Sequence, residues 1–274
     1  MRDVAGMQPV SGGPGGGYAV LAVRYGTRQA TAGEVFLNYH AYGEPDRVLG
    51  MDYFLWVIRG PGGDIVVDTG FSARGGRSRS RTALLTTSEA LRAAGVTPAG
   101  APRVIVTHAH YDHIGGLPAL GASEVIMTEA EYAFWTSPMA RRAQFAQSAE
   151  DDEISHLGGL RAAGRLTLAA GSFPVAPGVE LLEVGGHTPG QAIVLVRTAA
   201  GQVVLASDAV HYYEELERDR PFSLVADLPA MYAAFDQIRE LEQDRGTVVV
   251  AGHDPAVLDR FPGRAGSDLV VRVA

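Results

Sequence analysis

Short apolar runs along the chain predict a series of β-strands. Residues 51–59 and 64–68 flank Gly60-Pro61-Gly62-Gly63, a turn sequence that predicts a β-hairpin. Other apolar or β-branched runs predict further strands. These are residues 18–25, 104–107, 125–127, 166–168, 179–184, 192–197, 203–206 and 247–251.

Periodic apolar positions predict helices between these strands. Residues 229–242 are clearly amphipathic, with Pro229 suited to a first helical turn, and residues 86–94 are followed by Gly95 as a C-cap. Further helices are predicted at 114–120, at 129–135, within 137–163, where acidic residues 151–153 favour a start, and at 255–260. Each half runs from strands to helices. The sequence therefore predicts one α/β sandwich domain, residues 18–274, with two mixed β-sheets flanked by helices.

Composition is that of a globular protein, with 46% hydrophobic and 20% charged residues among 274. No apolar run reaches about 18 residues, so we expect no membrane partner. Residues 1–17 are rich in glycine and lack the apolar core of a signal peptide. We expect a flexible tail there, and a cytoplasmic location by default.

The missing residue types and the net charge exclude or disfavour several kinds of site and partner. The chain has no cysteine, and all 23 of its basic residues are arginine, which excludes thiolate sites and a catalytic lysine. The net charge of −8 disfavours a polyanionic partner. The basic run at residues 74–81 has no interleaved aromatic residue, so we interpret it as a solvated loop and expect no nucleic-acid partner.

One short segment concentrates metal-binding side chains. His108, His110, Asp112 and His113 lie within six positions, directly after the apolar run at 104–106. Imidazole and carboxylate ligands suit zinc and related divalent metals. In an extended backbone His108 and His110 point to one side, and the following turn directs Asp112 and His113 elsewhere. Because buried unpaired groups of this kind are costly, the segment predicts a metal site that can serve two ions.

Three later polar residues lie where an apolar strand ends and a loop containing glycine or proline begins. They are His187, Asp208 and His253. Rigid strands direct such loop residues towards a shared point at the edge of a sheet. We therefore expect these side chains to join the histidine-rich segment in one site.

With these motifs the chain resembles the metallo-β-lactamase superfamily, which has an αβ/βα sandwich with metals at one edge. The motifs extend from Asp68 to His253, and the strand pattern extends the resemblance from about Tyr18 to the C-terminus. Carried over by position, the resemblance implies one metal bound by His108, His110 and His187, a second bound by Asp112, His113 and His253, and Asp208 bridging both. Asp68 matches the family's early aspartate, which supports the metal-binding loop from behind the ligands.

The implied ligand set predicts hydrolysis. Two divalent ions about 3.5–4 Å apart lower the pKa of a shared water from about 16 towards about 7. The resulting bridging hydroxide is expected to attack a carbonyl carbon, and Asp112 to pass a proton to the leaving oxygen. We expect zinc, although iron, manganese and cobalt suit the same ligands. The substrate is then a small ester, lactone, amide or thioester.

Absent features narrow the substrate class. The lack of cysteine and of a secretion signal disfavours β-lactamases. Glyoxalase-II-like thioesterases share the ligand set but bind glutathione through basic residues in a C-terminal region, where this chain has only Arg260, Arg264 and Arg272 after His253. Thioester hydrolysis stays an alternative. An iron-dependent persulfide dioxygenase or flavo-diiron-like oxidoreductase is a less favoured one, and a non-catalytic binding protein is the least favoured.

The segment after Asp208 resembles the N-acyl homoserine lactonases, in which an Asp-Ala pair is followed closely by a tyrosine. In those enzymes the phenol donates a hydrogen bond to the substrate carbonyl. Here His211 occupies the aligned position and Tyr212 comes next. We favour Tyr212 slightly over His211 for this role, with simple packing near the site as the alternative for both.

Aromatic residues supply candidates for the substrate pocket. Tyr111 is expected at its mouth, and the region 36–54, with Tyr39, Tyr42, Met51 and Tyr53, is a candidate apolar wall for an acyl chain. The sequence thus predicts a dinuclear metallohydrolase that opens a lactone of the N-acyl homoserine lactone type, a quorum-quenching activity. The oligomeric state stays open, and a dimer is compatible with the sequence.

Overall fold

The computed structural model describes residues 17–261 and 263–274, so the predicted tail lies outside the described residues except for Gly17. The strands are β1 Ala19–Thr31, β2 Val48–Gly60, β3 Gly63–Val67, β4 Thr82–Ala83, β5 Arg103–Ile105, β6 Val125–Thr128, β7 Leu166–Ala169, β8 Ser172–Ala176, β9 Val179–Glu183, β10 Ala192–Thr198, β11 Gly201–Ser207, β12 Val248–Ala251, β13 Gly263–Ser267 and β14 Val270–Arg272. The α-helices are α1 Ala32–Val35, α2 Ala73–Ser78, α3 Thr87–Ala93, α4 Tyr111–Ile114, α5 Glu129–Trp135, α6 Ala143–Ala146, α7 Asp151–Ala162, α8 Tyr213–Arg218, α9 Leu228–Gln243 and α10 Val257–Arg260. Single 3-10 turns occur at Tyr39–Tyr42, Pro98–Gly100, Leu117–Leu120 and Pro138–Arg141.

The strands form two mixed sheets, as predicted. The first has the order β13-β14-β1-β2-β3-β5-β6-β7, with β4 added alongside β1, and the second has the order β12-β11-β10-β9-β8. In the first sheet the antiparallel β1-β2-β3 meander leads into the parallel β3, β5, β6 and β7. In the second, β11 and β12 are parallel and the remaining pairs antiparallel. The α/β sandwich with two mixed sheets is therefore confirmed.

Alternating side chains of β2 separate two hydrophobic cores. Phe54 and Trp56 belong to the core shared by the strands of both sheets. Leu55 and Val57 belong to the other core, where the first sheet meets the helices, including Leu91 of α3. Both faces of the first sheet are thus covered by apolar side chains, which makes its strand ends a rigid support for the loops that follow them.

Several local predictions need correction. Strand β1 was predicted to end at residue 25 but continues to Thr31, because a register shift between Arg24 and Gly26 interrupts the simple alternation. The helix predicted at 114–120 is wrong. Gly115 and Gly116 lie against backbone there, and α4 and a separate 3-10 turn flank them. The predictions also missed the short helices α1, α2 and α8.

No helix in the described part of the chain combines the length and the apolar character needed to cross a bilayer.

Candidate metal centre

The ends of strands from both sheets carry the predicted site residues. His108 and His110 follow β5, and Asp112 and His113 lie in the adjoining short helix α4. All four side chains are buried. The backbone is extended at His110 and α4 begins at the next residue, so the direction of the side chains changes between His110 and Asp112, as the sequence predicted.

The second sheet supplies the other three residues. His187 lies in the loop between β9 and β10, Asp208 directly follows β11, and His253 follows β12. Each is at most 3% exposed. Ser207, the last residue of β11, has the left-handed φ of 46°, which turns the chain sharply before Asp208.

Four of these side chains converge on one point. The Nε2 atoms of His108 and His187 each lie 3.0 Å from Nδ1 of His110. Asp208 Oδ2 lies 3.7 Å from the first Nε2 and 3.4 Å from the second. One ligand atom from each of the four residues lies within 4.8 Å of the others, a spacing suited to one metal ion.

The remaining three side chains form a second cluster beside the first. Asp112, His113 and His253 also place ligand atoms within 4.8 Å of one another. Asp208 Oδ1 lies 3.2 Å from His113 Nε2 and 3.1 Å from His253 Nε2. The two oxygens of Asp208 therefore face different clusters, which is the geometry of a carboxylate that bridges two metals.

Hydrogen bonds behind the clusters fix the ring orientations of three histidines. In each of these rings, Nδ1 lies 2.8 Å from an oxygen atom of another residue. The partner of His113 is Asp68 Oδ2, that of His187 is the Leu224 carbonyl, and that of His253 is the Asp52 carbonyl. Because carbonyl and carboxylate oxygens only accept, each Nδ1–H donates. Nε2 of each ring then faces the cluster, the position a metal ligand requires.

The electrostatics of the side chains also fit two divalent cations. Burial holds the pKa values of His108 and His110 well below the usual range, so both rings are in the neutral form that ligates. Burial raises the pKa of Asp208, but nearby histidines, His253 first, more than offset this and hold it well below its usual range. Nε2 of His113 is buried without a hydrogen-bond partner. The donor set thus combines neutral imidazoles, carboxylates and an unsatisfied nitrogen.

Asp68 lies directly behind the histidine-rich loop. Its carboxylate accepts hydrogen bonds from the backbone N–H of Thr107 at 2.9 Å and from the Thr107 hydroxyl at 2.8 Å, in addition to His113. Its own φ of 58° is left-handed and costly for a residue with a side chain. These hydrogen bonds hold Asp68 in that conformation and tie the end of β3 to the ligand loop.

A buried glutamate that the sequence analysis missed ties two ligand loops together. Glu131 of α5 accepts hydrogen bonds from Ala109 N, which lies between His108 and His110, and from the Trp135 indole. Its other oxygen accepts from Thr188 Oγ1 and Gly190 N in the loop of His187. Burial raises its pKa although these hydrogen bonds oppose the shift. The sequence offered one indication of this role: Glu131 and Trp135 lie four residues apart in a predicted helix, so their side chains share one face.

The two clusters of candidate ligand residues open into a cavity of about 440 Å³. Tyr111 lines it, consistent with the expected position at its mouth. The predicted apolar wall is only partly present. Met51 and Tyr53 line the cavity, whereas Tyr39 stacks against Phe36 outside it. The rest of the lining combines polar side chains, among them arginines, glutamines and two serines, with the apolar Phe222 and Leu224.

Tyr212 and His211 occupy different environments. The Tyr212 hydroxyl donates to the Gly50 carbonyl at 2.9 Å, and its side chain does not line the cavity. His211 does line it, with Nε2 3.0 Å from Asp208 Oδ2 and its ring stacked on Phe222. The structure thus places His211 beside the cavity and Tyr212 away from it, because consecutive residues at the start of α8 point in different directions.

The basic run at residues 74–81 is not the solvated loop that its composition suggested. Its first part forms α2, and Arg74 pairs with acidic residues around the start of α7. Arg79 pairs with Glu150, donates to the Gln147 carbonyl and lies over the Tyr111 ring. Arg79 and Arg81 both line the cavity. Composition alone could not show that the run folds back against the site.

Comparison with known sequences finds a family and several relatives. The model of the Metallo-beta-lactamase superfamily matches residues 52–253. An N-acyl homoserine lactonase from a Bacillus species is 30% identical over 165 residues, which cover 60% of each chain. The N-acyl homoserine lactonase AttM of Azorhizobium caulinodans is 24% identical over 192 residues, which cover 64% of this chain and 66% of the relative. The chain thus matches about three fifths of the length of the first of these relatives.

Solved structures resemble the fold over more of the chain. An N-acyl homoserine lactone hydrolase with the product N-hexanoyl-L-homoserine bound at its catalytic metal centre superposes with a TM-score of 0.73. The match covers 90% of this chain and 97% of that one at 21% identity. At this identity the similarity establishes the fold only, and the site rests on the geometry described above.

Proposed function

We propose that this chain, which belongs to the metallo-beta-lactamase superfamily, is a dinuclear metallohydrolase that opens lactone rings of the N-acyl homoserine lactone type. The observation that carries the proposal is the position of Asp208 between two clusters of ligand atoms. His108, His110 and His187 would hold one ion, Asp112, His113 and His253 the other, and Asp208 both. The named activity of the sequence relatives, N-acyl homoserine lactonase, supports the lactone as substrate. With that substrate we propose a role in quorum quenching.

The chemistry of ring opening assigns work to the residues of the cavity. Bound divalent ions, of which zinc suits these ligands best, supply an activated water and polarise the scissile carbonyl. Asp208 fixes the spacing of the two clusters. Asp112 lines the same cavity, and we assign to its carboxylate the transfer of a proton to the ring oxygen as the carbon–oxygen bond breaks. Water thereby adds across the ester, which gives a carboxylate and an alcohol.

His211 is the residue we assign to orientation of the reacting carbonyl. It is buried, lines the cavity and lies between Asp208 and Glu215, whose Oε1 is 3.4 Å from His211 Nδ1. Glu215 also accepts the backbone N–H groups of His211 and Tyr212, which fixes this turn. A donor held this firmly suits the stabilisation of developing charge on an oxygen.

Substitution at the two neighbouring positions separates their roles. His211→Phe keeps an aromatic ring against Phe222 and is expected to lower kcat by about 100-fold with metal content unchanged. Tyr212→Phe removes only the hydrogen bond to the Gly50 carbonyl, so we expect a loss of about 1 kcal/mol in stability and little change in kcat. Steady-state kinetics and denaturant unfolding measure both effects. A large loss of kcat in Tyr212→Phe, with none in His211→Phe, would reverse the assignment.

The proposed activity is tested on a substrate panel. Protein loaded with zinc or cobalt is assayed for acid release from N-acyl homoserine lactones, other lactones, a simple ester and a glutathione thioester. We expect the lactones to be hydrolysed with the highest kcat/KM. Robust thioester cleavage without turnover of any lactone would support the glyoxalase-II-like alternative. If the purified protein contains a single iron per chain, that result would support the alternative of a persulfide dioxygenase.

A further inference from the structure

Arg28 of β1 and Arg81, just before β4, belong to neighbouring segments beside the cavity. Strand β1 pairs with β4 in an antiparallel register that places Gly26 opposite Ala83 and Thr27 opposite Thr82. Arg28 and Arg81 are the next residues beyond these pairs, and Arg81 directly precedes β4. Both side chains line the cavity together with the candidate metal-binding residues.

Neither guanidinium is neutralised by the protein. Within the described part of the chain, the Arg28 side chain makes one hydrogen bond, from Nε to the Met51 sulfur at 3.2 Å. Arg81 donates to the Tyr111 hydroxyl at 3.0 Å and to the Arg79 carbonyl at 2.7 Å. Within residues 17–261 and 263–274, no carboxylate lies within ion-pairing distance of either guanidinium. Arg79 differs, because Glu150 neutralises it.

Two unpaired arginines beside one cavity cost electrostatic free energy, and no ion pair within the described residues offsets that cost. Two like charges beside one cavity repel each other. Several other arginines, among them Arg24, Arg59 and Arg220, form ion pairs with carboxylates. Some arginines of the described residues form none, such as Arg77, but Arg77 is exposed and does not line the cavity. Two unpaired guanidiniums beside a cavity are instead the usual means of binding a carboxylate or phosphate, since the planar fork can donate two parallel hydrogen bonds.

We propose that Arg28 and Arg81 bind an anionic group of the substrate, so that the lactone carries a carboxylate or phosphate remote from its scissile carbonyl. The inference rests on the proposed lactone hydrolysis and narrows its substrate class. It gives a role to the polar part of the cavity lining, to which Gln144, Gln147 and Ser148 also belong. The arginines also give this mouth a positive charge in a chain whose net charge is −8.

Three homoserine lactones of matched chain length test the proposal. One carries an N-hexanoyl chain, the second the same chain ending in a carboxylate, and the third the chain ending in a phosphate ester. We expect kcat/KM to be about tenfold or more higher for at least one anionic substrate than for the neutral one, mainly through KM. The two anionic substrates distinguish the carboxylate from the phosphate.

Arginine variants identify the group responsible. Arg28→Gln is expected to reduce the preference to within about threefold, and Arg28→Lys to restore part of it, because the charge returns without the fork. Arg77→Gln is the matched control: Arg77 is an exposed arginine of α2 that does not line the cavity, so the preference should stay that of the parent protein. An equal or greater kcat/KM for the neutral substrate, or a preference that survives Arg28→Gln, would overturn the proposal.

A binding measurement decides the question without turnover. Calorimetric titration of the zinc-loaded protein with adipate and with hexanoate compares ligands that share one carboxylate and differ in the second. We expect adipate to bind about tenfold more tightly. If no lactone is hydrolysed but adipate is preferred, the proposed function fails and the anion subsite stands. Equal binding of the two acids contradicts the subsite even if lactones are hydrolysed.

Discussion

Asp208→Ala is expected to lower kcat/KM for lactone hydrolysis by about 10³-fold or more, equivalent to about 4 kcal/mol of transition-state stabilisation. The physical reason is that one carboxylate serves both clusters, with Oδ1 near His113 and His253 and Oδ2 near His108 and His187. Its removal takes one ligand from each ion and leaves nothing to fix their separation. Metal analysis of the variant should find fewer than two ions per chain.

The control for this variant is Asp236→Ala. Asp236 lies on α9 with its side chain 74% exposed, and its one ion pair, with Arg239, is on the surface. Surface pairs of this kind contribute at most about 1 kcal/mol. We therefore expect the control to keep its metal and its activity. An Asp208→Ala protein that retains two ions and hydrolyses lactones at the parent rate would contradict the bridged arrangement.

Glu131→Ala is expected to lower the free energy of unfolding of the metal-free protein by about 3–5 kcal/mol. The carboxylate accepts from Ala109 N, Trp135 Nε1, Thr188 Oγ1 and Gly190 N, and all four donors lose their partner in the variant. The same hydrogen bonds join the loops that carry the first-cluster histidines. The affinity for the metal ion held by His108, His110 and His187 should therefore fall by about 10–100-fold, as is typical when a group that orients ligands is removed.

Denaturant unfolding and competitive zinc titration measure the two effects. Glu131→Gln keeps one acceptor oxygen, so its losses should be intermediate. Glu129→Ala, an exposed position two residues earlier in α5, is the matched control and should change stability by less than about 0.5 kcal/mol. If Glu131→Ala loses stability but binds zinc as tightly as the parent, Glu131 stabilises the fold without positioning the ligands.

The parts of the fold that the sequence predicted well are those set by local patterns. The hairpin of β2 and β3 follows from alternating apolar residues around a glycine-rich turn, and α9 from its amphipathic period. The ligand positions were predictable for a related reason. His187, Asp208 and His253 each follow a strand, and the order of strands in the two sheets brings those ends together.

The features that the sequence analysis missed depend on contacts between distant segments. Arg28 and Arg81 are far apart in the sequence, and the pairing of β1 with the two-residue strand β4, which Arg81 directly precedes, brings their segments together. Glu131 reaches across to Thr188 and Gly190 in the loop after β9, a contact that no local period encodes. Tyr212 and His211 differ by one residue, and which of them faces the cavity depends on how the chain enters α8.

The most direct test of the two-metal centre is a crystal structure of the zinc-loaded protein with anomalous data collected at the zinc absorption edge. We predict two anomalous peaks: one bound by His108, His110 and His187, the other by Asp112, His113 and His253, with Asp208 in contact with both. A single peak bound by one cluster, with the other set of side chains bonded only among themselves, would contradict the account.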